Sequence, residues 1–168
     1  MRERDWTNPA PAAGDVIEAG SLSIRCLDTG GAAVVSGDLD AALAALAPGA
    51  PMIGLLSELP VTGAFALRIA RDRMLLCTPA PLMAAPGWHG TYALSRADDL
   101  YRPVAITGDS DGLLLAGSMS AEPGSPSAMT LFAGKPCPVA RAGDGVRVWV
   151  PGPDMAGIWS RLRLLAAA

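Results

Sequence analysis

The side chains in this sequence that could do chemistry are few and scattered. There is one histidine, His89, in the run Gly87-Trp88-His89-Gly90, and there are three cysteines, Cys26, Cys77 and Cys137. No two cysteines form a CxxC pair. A single histidine with thiols this far apart in sequence does not read as a zinc site, and no metal is expected. Cys137 with His89 would be a thiol nucleophile and its base. Against that, Cys137 stands between Pro136 and Pro138, a rigid setting that reads as structural. His89 reads as a turn histidine held by the packing of Trp88.

Paired carboxylates are the next chemistry to consider. Asp98 and Asp99 lie between two strand-like segments, and Asp109 and Asp111 lie at a predicted helix start. Turn formation and helix capping account for all four, and no second constellation accompanies them to make a general acid/base pair. The glycine turns Asp28-Thr29-Gly30-Gly31 and Ala142-Gly143-Asp144-Gly145 match neither Gly-x-Gly-x-x-Gly nor a Walker loop. No catalytic residue, metal ligand or cofactor-binding residue is therefore assigned. The tryptophans carry a different message. Trp149 and Trp159 fall on predicted elements and belong to a core. Trp6 and Trp88 fall in irregular segments and are candidate interface anchors.

Composition narrows the class of protein. The chain has 168 residues, 51% hydrophobic and only 17% charged, with a formal net charge of −3. Lys135 is the only lysine, and no Lys/Arg run exists, so a nucleic-acid partner is not expected. No apolar stretch approaches the ~20 residues of a membrane span, and the N-terminal residues show no secretory h-region. Well-separated cysteines fit a cytoplasmic protein with reduced, buried thiols. Low charge with spare apolar surface points to a protein partner. The isolated chain is expected to be able to pair with itself through that surface.

The elements follow from periodicity. Residues 1–20, punctuated by Pro9, Pro11 and Gly14, read as a flexible arm, and 21–168 as one domain. Alternation over 21–27 and 32–36, about the turn at 28–31, predicts a β-hairpin. Asp38 caps a predicted helix whose Leu39, Leu43 and Leu46 share a face. Residues 52–59 are apolar without a clear period. Strands over 65–70 and 73–78 flank a tight Arg71-Asp72 turn. Residues 82–88 read as a short helix or loop, 90–96 as a strand, and 101–107 as a strand that Pro103 places at an edge or a bulge. Ser110 or Asp109 caps a helix over 113–117. Residues 118–128 are a loop, and 130–132 open another element. Strands over 138–141 and 146–150 flank the Ala142–Gly145 turn. Asp154 caps a last helix in which Met155, Ile158, Trp159 and Leu162 share a face. Short antiparallel hairpins interleaved with two to three helices make an α+β fold.

Several pieces, in order, resemble the gamma subunit of heterotetrameric sarcosine oxidase. They are the hairpin Ala70–Pro79 (ARDRMLLCTP), Leu94–Tyr101 (LSRADDLY), Val104–Gly108 (VAITG), Leu114–Ser118 (LLAGS), Met129–Cys137 (MTLFAGKPC), the hairpin Val139–Val150, and a terminal segment carrying Ile158 and Trp159. The likeness runs over about residues 60–165 and echoes in residues 21–46. It implies a fold similar to the N-terminal part of the folate-binding aminomethyltransferase (glycine-cleavage T-protein) fold. It also implies a non-catalytic accessory role beside larger subunits that carry FAD, FMN, NAD and tetrahydrofolate. Two other readings stay open. One is a stand-alone folate- or pterin-binding module using Asp98, Asp99 or Asp109. The other is a small enzyme built on Cys137 and His89.

Overall fold

The computed structural model describes residues 9–109, 112–120 and 123–167. Trp6, Ser110 and Asp111 lie outside the described residues. The strands are β1 (Val16–Ala19), β2 (Leu22–Cys26), β3 (Gly31–Gly37), β4 (Met52–Ile53), β5 (Phe65–Ala70), β6 (Arg73–Thr78), β7 (Gly87–His89), β8 (Tyr92–Arg96), β9 (Tyr101–Thr107), β10 (Met129–Phe132), β11 (Lys135–Ala142) and β12 (Gly145–Pro151). The helices are α1 (Leu39–Leu46), α2 (Leu113–Ser118) and α3 (Met155–Ala166).

The strands form two six-stranded sheets. The first has the order β1-β2-β9-β12-β11-β10 and the second β4-β5-β6-β3-β8-β7. All pairings are antiparallel except β4 with β5. The chain is α+β, as its sequence predicts.

Alternation along single strands explains the layering. In β3, Ala33 and Val35 join Leu39 and Ala42 of α1 in one core, while Ala32 and Val34 turn the other way, toward Ala140 and Trp149 of the first sheet. In β12, Val146, Val148 and Val150 pack with Met155, Ile158, Trp159 and Leu162 of α3, and Trp149 faces the second sheet. The layers therefore run α1, second sheet, first sheet, then α2 with α3. Both sheets are apolar on both faces, which accounts for the high hydrophobic content.

The two tight hairpins form as predicted. Ala70 pairs with Arg73 across Arg71-Asp72, and Ala142 pairs with Gly145 across Gly143-Asp144, where Gly143 takes φ +61°. Asp38 caps α1 by accepting a 3.0 Å bond from the Ala41 N–H.

Four expectations are corrected. The arm does not extend to residue 20, because Val16–Ala19 is a strand paired with β2. The strands flanking the 28–31 turn do not pair with each other: β2 pairs with β1 and β9, and β3 pairs with β6 and β8. Residues 27–30 instead cross from one sheet to the other. Gly30 has φ +64° there, and a Cβ on it would stand 2.7 Å from the Thr78 carbonyl oxygen.

The third correction concerns Pro103, which sits in β9, an interior strand of the first sheet. It is tolerated because β2 has ended. Pro103 opposes Trp149 of β12, and on its other side its carbonyl accepts from Leu27 N–H, just past the last β2 residue. In an antiparallel strand a residue's nitrogen and carbonyl point to the same side. The missing N–H therefore falls where no ladder strand needs it. The fourth is Asp154, which does not cap α3 with its side chain but pairs with Lys135 at 2.8 Å.

Candidate binding cavity between the sheets

The predicted site residues fall in separate places. Asp98 follows β8 and accepts a 2.8 Å hydrogen bond from Ala32 N–H at the start of β3. Its neighbour Asp99 is exposed. Asp109 lies past the other end of β9, where its two carboxylate oxygens accept from Leu114 and Leu115 N–H at 3.2 and 3.0 Å. That bears out the expected capping of α2 by Asp109. A seven-residue strand separates the Asp98/Asp99 pair from Asp109, a span of about 20 Å. The three carboxylates do not converge on one ligand.

Cys137 and His89 are not a dyad. Cys137 is fully buried in β11 under α3, and burial, with Asp154 adding to it, pushes its thiol from the ordinary 9.0 up to about 12. His89 belongs to β7 at the far edge of the other sheet. Its Nε2 is 2.7 Å from the Ala85 carbonyl oxygen and its ring stacks on Tyr92, with centroids 5.4 Å apart. Tyr92 and Ala85, not Trp88, hold the histidine. Trp88 itself is 78% exposed. Trp149 and Trp159 are buried, as expected.

What the sequence reading missed is Arg147. It occupies β12 in the run Val146-Arg147-Val148-Trp149-Val150, whose valines face α3. By alternation Arg147 and Trp149 both face the second sheet. A charged residue sharing the inward face of a strand with a core tryptophan is the signal that could have found it.

Arg147 lines a cavity of about 520 Å³ where β5 and β3 begin and β6 ends. Asp28, Thr29 and Gly30 from the crossing segment, the 60–63 loop, Phe65, Cys77, Thr78, Pro79, Pro103 and Trp149 form the rest of the wall. The Arg147 guanidinium carbon stands 5.9 Å from the Trp149 ring centre, and Phe65 meets the same indole edge-on at 5.8 Å. The first contact is a cation–π arrangement that fixes the guanidinium.

Among the described residues Arg147 has no ion-pair partner, and its Nε is buried without a hydrogen-bond acceptor. Leaving a buried donor unpaired costs about 1–3 kcal/mol. Burial holds the guanidinium below its usual range, with nearby Cys77 opposing the shift. It remains cationic at neutral pH, because arginine is not deprotonated in proteins. Burial pushes the Cys77 thiol in the same wall up to about 12, so it is not a thiolate nucleophile near pH 7. The wall offers a cation beside aromatic surface, and among the described residues it shows no activated nucleophile and no acid/base pair.

A smaller cavity of about 290 Å³ lies beside α2, with Asp109, Arg141 and Asp144 on its wall. Two of these groups are engaged locally, Asp109 by the helix and Arg141 with Glu58 at 4.0 Å.

No protein-family model and no curated protein matches the chain. Among solved structures it is similar to a chain of the heterotetrameric sarcosine oxidase from Corynebacterium sp. U-96, in complex with pyrrole 2-carboxylate. The TM-score is 0.68 at 16% identity. The two chains share a fold. The match covers 92% of this chain and 88% of that one, so the common fold takes in nearly the whole of both. At this identity the likeness concerns architecture rather than chemistry. No helix among the described residues is long and apolar enough to cross a membrane.

Proposed function

We propose that this chain is a non-catalytic accessory subunit, of the gamma type, in a cytoplasmic sarcosine-oxidase-like amine oxidoreductase. The observation that carries this reading is the end-to-end likeness to one chain of a heterotetrameric enzyme, 92% of this chain on 88% of that one. Such a match favours correspondence to one of that enzyme's chains taken nearly whole. FAD, FMN, NAD and tetrahydrofolate would reside on the larger subunits. The thiols at Cys77 and Cys137 are raised and buried, and the carboxylates at Asp98, Asp99 and Asp109 are dispersed, which suits a chain that does no chemistry of its own.

The docking face in this reading is the β7 edge. Trp88 is 78% exposed there, and Met83, shortly before it in sequence, is 94% exposed. β7 is the terminal strand of its sheet and only three residues long. Covering an exposed indole and a thioether suits the centre of a subunit interface.

The test is purification of the tagged chain from its native host. A larger flavin-containing subunit with amine-oxidising activity should co-purify in fixed stoichiometry. Recovery of the chain with no flavoprotein partner would sink the proposal.

A further inference from the structure

We propose that the cavity around Arg147 binds a small monocarboxylic acid with a flat apolar body. Its position and chemistry are independent of the β7 docking edge. Three features of the wall converge on this ligand.

The first is charge. Arg147 is a fixed cation with no acidic partner among the described residues and a buried, unsatisfied Nε. A guanidinium in partly desolvated surroundings pairs best with a planar carboxylate, through two parallel hydrogen bonds. The second is shape. Trp149 and Phe65 form an aromatic wall, and Pro60 and Pro103 continue it with apolar surface. A volume of about 520 Å³ is in the range of small-molecule sites.

The third is what the cavity lacks. Among the described residues Arg147 is the only basic one on the wall, and Asp28 stands at the wall as well, exposed and accepting from Gly30 N–H at 3.4 Å. A single cation on the wall, with a solvated carboxylate elsewhere on it, suits a monoanion and disfavours a phosphate dianion. The acid would place its carboxylate on Arg147 and its flat body along Trp149 and Phe65, leaving the Asp28 side to water.

The experiment is calorimetric titration of the full chain at low salt with benzoate, with benzamide as the neutral isostere, in parallel with thermal melts. Benzoate should bind saturably and raise the melting temperature, and benzamide should bind about 10- to 100-fold more weakly. Arg147→Met should lose affinity for benzoate by a similar factor, and Arg147→Lys should fall between them. Inorganic phosphate should not compete at concentrations that saturate with benzoate. Equal binding of benzoate and benzamide overturns the proposal, even if the Arg147 variants fail to fold. It is also overturned by unchanged benzoate affinity in a folded Arg147→Met, or by no saturation up to about 10 mM.

Discussion

The Arg147 guanidinium stands 5.9 Å from the centre of the Trp149 ring, on the same face of the same strand. That face looks into the space between two sheets, where a charge without a partner is costly. Arg147→Met keeps the aliphatic stem against Trp149 and removes the unsatisfied Nε. The free chain should become more stable by about 1 kcal/mol, given that Arg147 is only partly buried. Urea denaturation of both proteins checks this. A loss of stability would mean that the guanidinium is satisfied in the free chain.

Close approach at the sheet crossing makes a second prediction. A Cβ on Gly31 would run into the Ala80 carbonyl oxygen, and Gly30 combines φ +64° with the nearby Thr78 carbonyl. Alanine at either position should cost about 1–3 kcal/mol. Gly157 is the control: it lies exposed within α3, and a Cβ there meets nothing within 4 Å. Gly157→Ala should stabilise by about 0.5–1 kcal/mol. Thermal melts of the three variants should therefore move in opposite directions.

Alkaline pH should unfold the chain through its thiols. Burial raises Cys77 and Cys137 from 9.0 to about 12. The folded state thus holds these protons more tightly than the unfolded state does. Their stabilising contribution is complete below about pH 9 and is lost progressively as pH rises toward 12. The melting temperature should fall across that window, and Cys137→Ala should flatten the fall. In the native chain at pH 8, neither thiol should react with a disulfide reagent until denaturant is added. Rapid native-state labelling would contradict the buried placement.

Helix α2 depends on one carboxylate. Asp109 accepts from both Leu114 and Leu115 N–H, so Asp109→Ala should cost about 1–2 kcal/mol and Asp109→Asn less. Hydrogen exchange at those two amides is the sharpest readout. It should accelerate in the alanine variant while exchange in α1 stays unchanged.

On the proposed role of the β7 edge, Trp88 should separate stability from assembly. Because it is 78% exposed, Trp88→Ala should leave the melting temperature of the isolated chain within about 0.5 kcal/mol of equivalent stability. The same variant should lose co-purification with the larger subunit. Full retention of the partner would remove the β7 edge from the interface.

Local patterns were readable wherever the partner in space is also the neighbour in sequence. The hairpins β5–β6 and β11–β12 and the Asp38 cap depend on contacts a few residues apart, and the buried face of α3 shows in its own periodicity although it packs on distant strands. Asp109 was readable as a cap for the same reason. Asp154 was not, because Lys135, nineteen positions earlier, takes its carboxylate.

The sequence by itself determined most of the strands and the three helices, though not β1, β4 or β7, and it offered no reactive cluster of the usual spacing. Only the tertiary structure decided how the strands outside those two hairpins pair. β2 and β3 carry the right alternation and the right turn for a hairpin, yet they enter different sheets. Alternation says that a strand has an apolar face, and it does not say which apolar face will cover it. The Arg147 cavity arises from that same choice. Its walls come from segments far apart in sequence, so the charge beside Trp149 on the inward face of β12 could mark one wall but no local pattern gives the cavity.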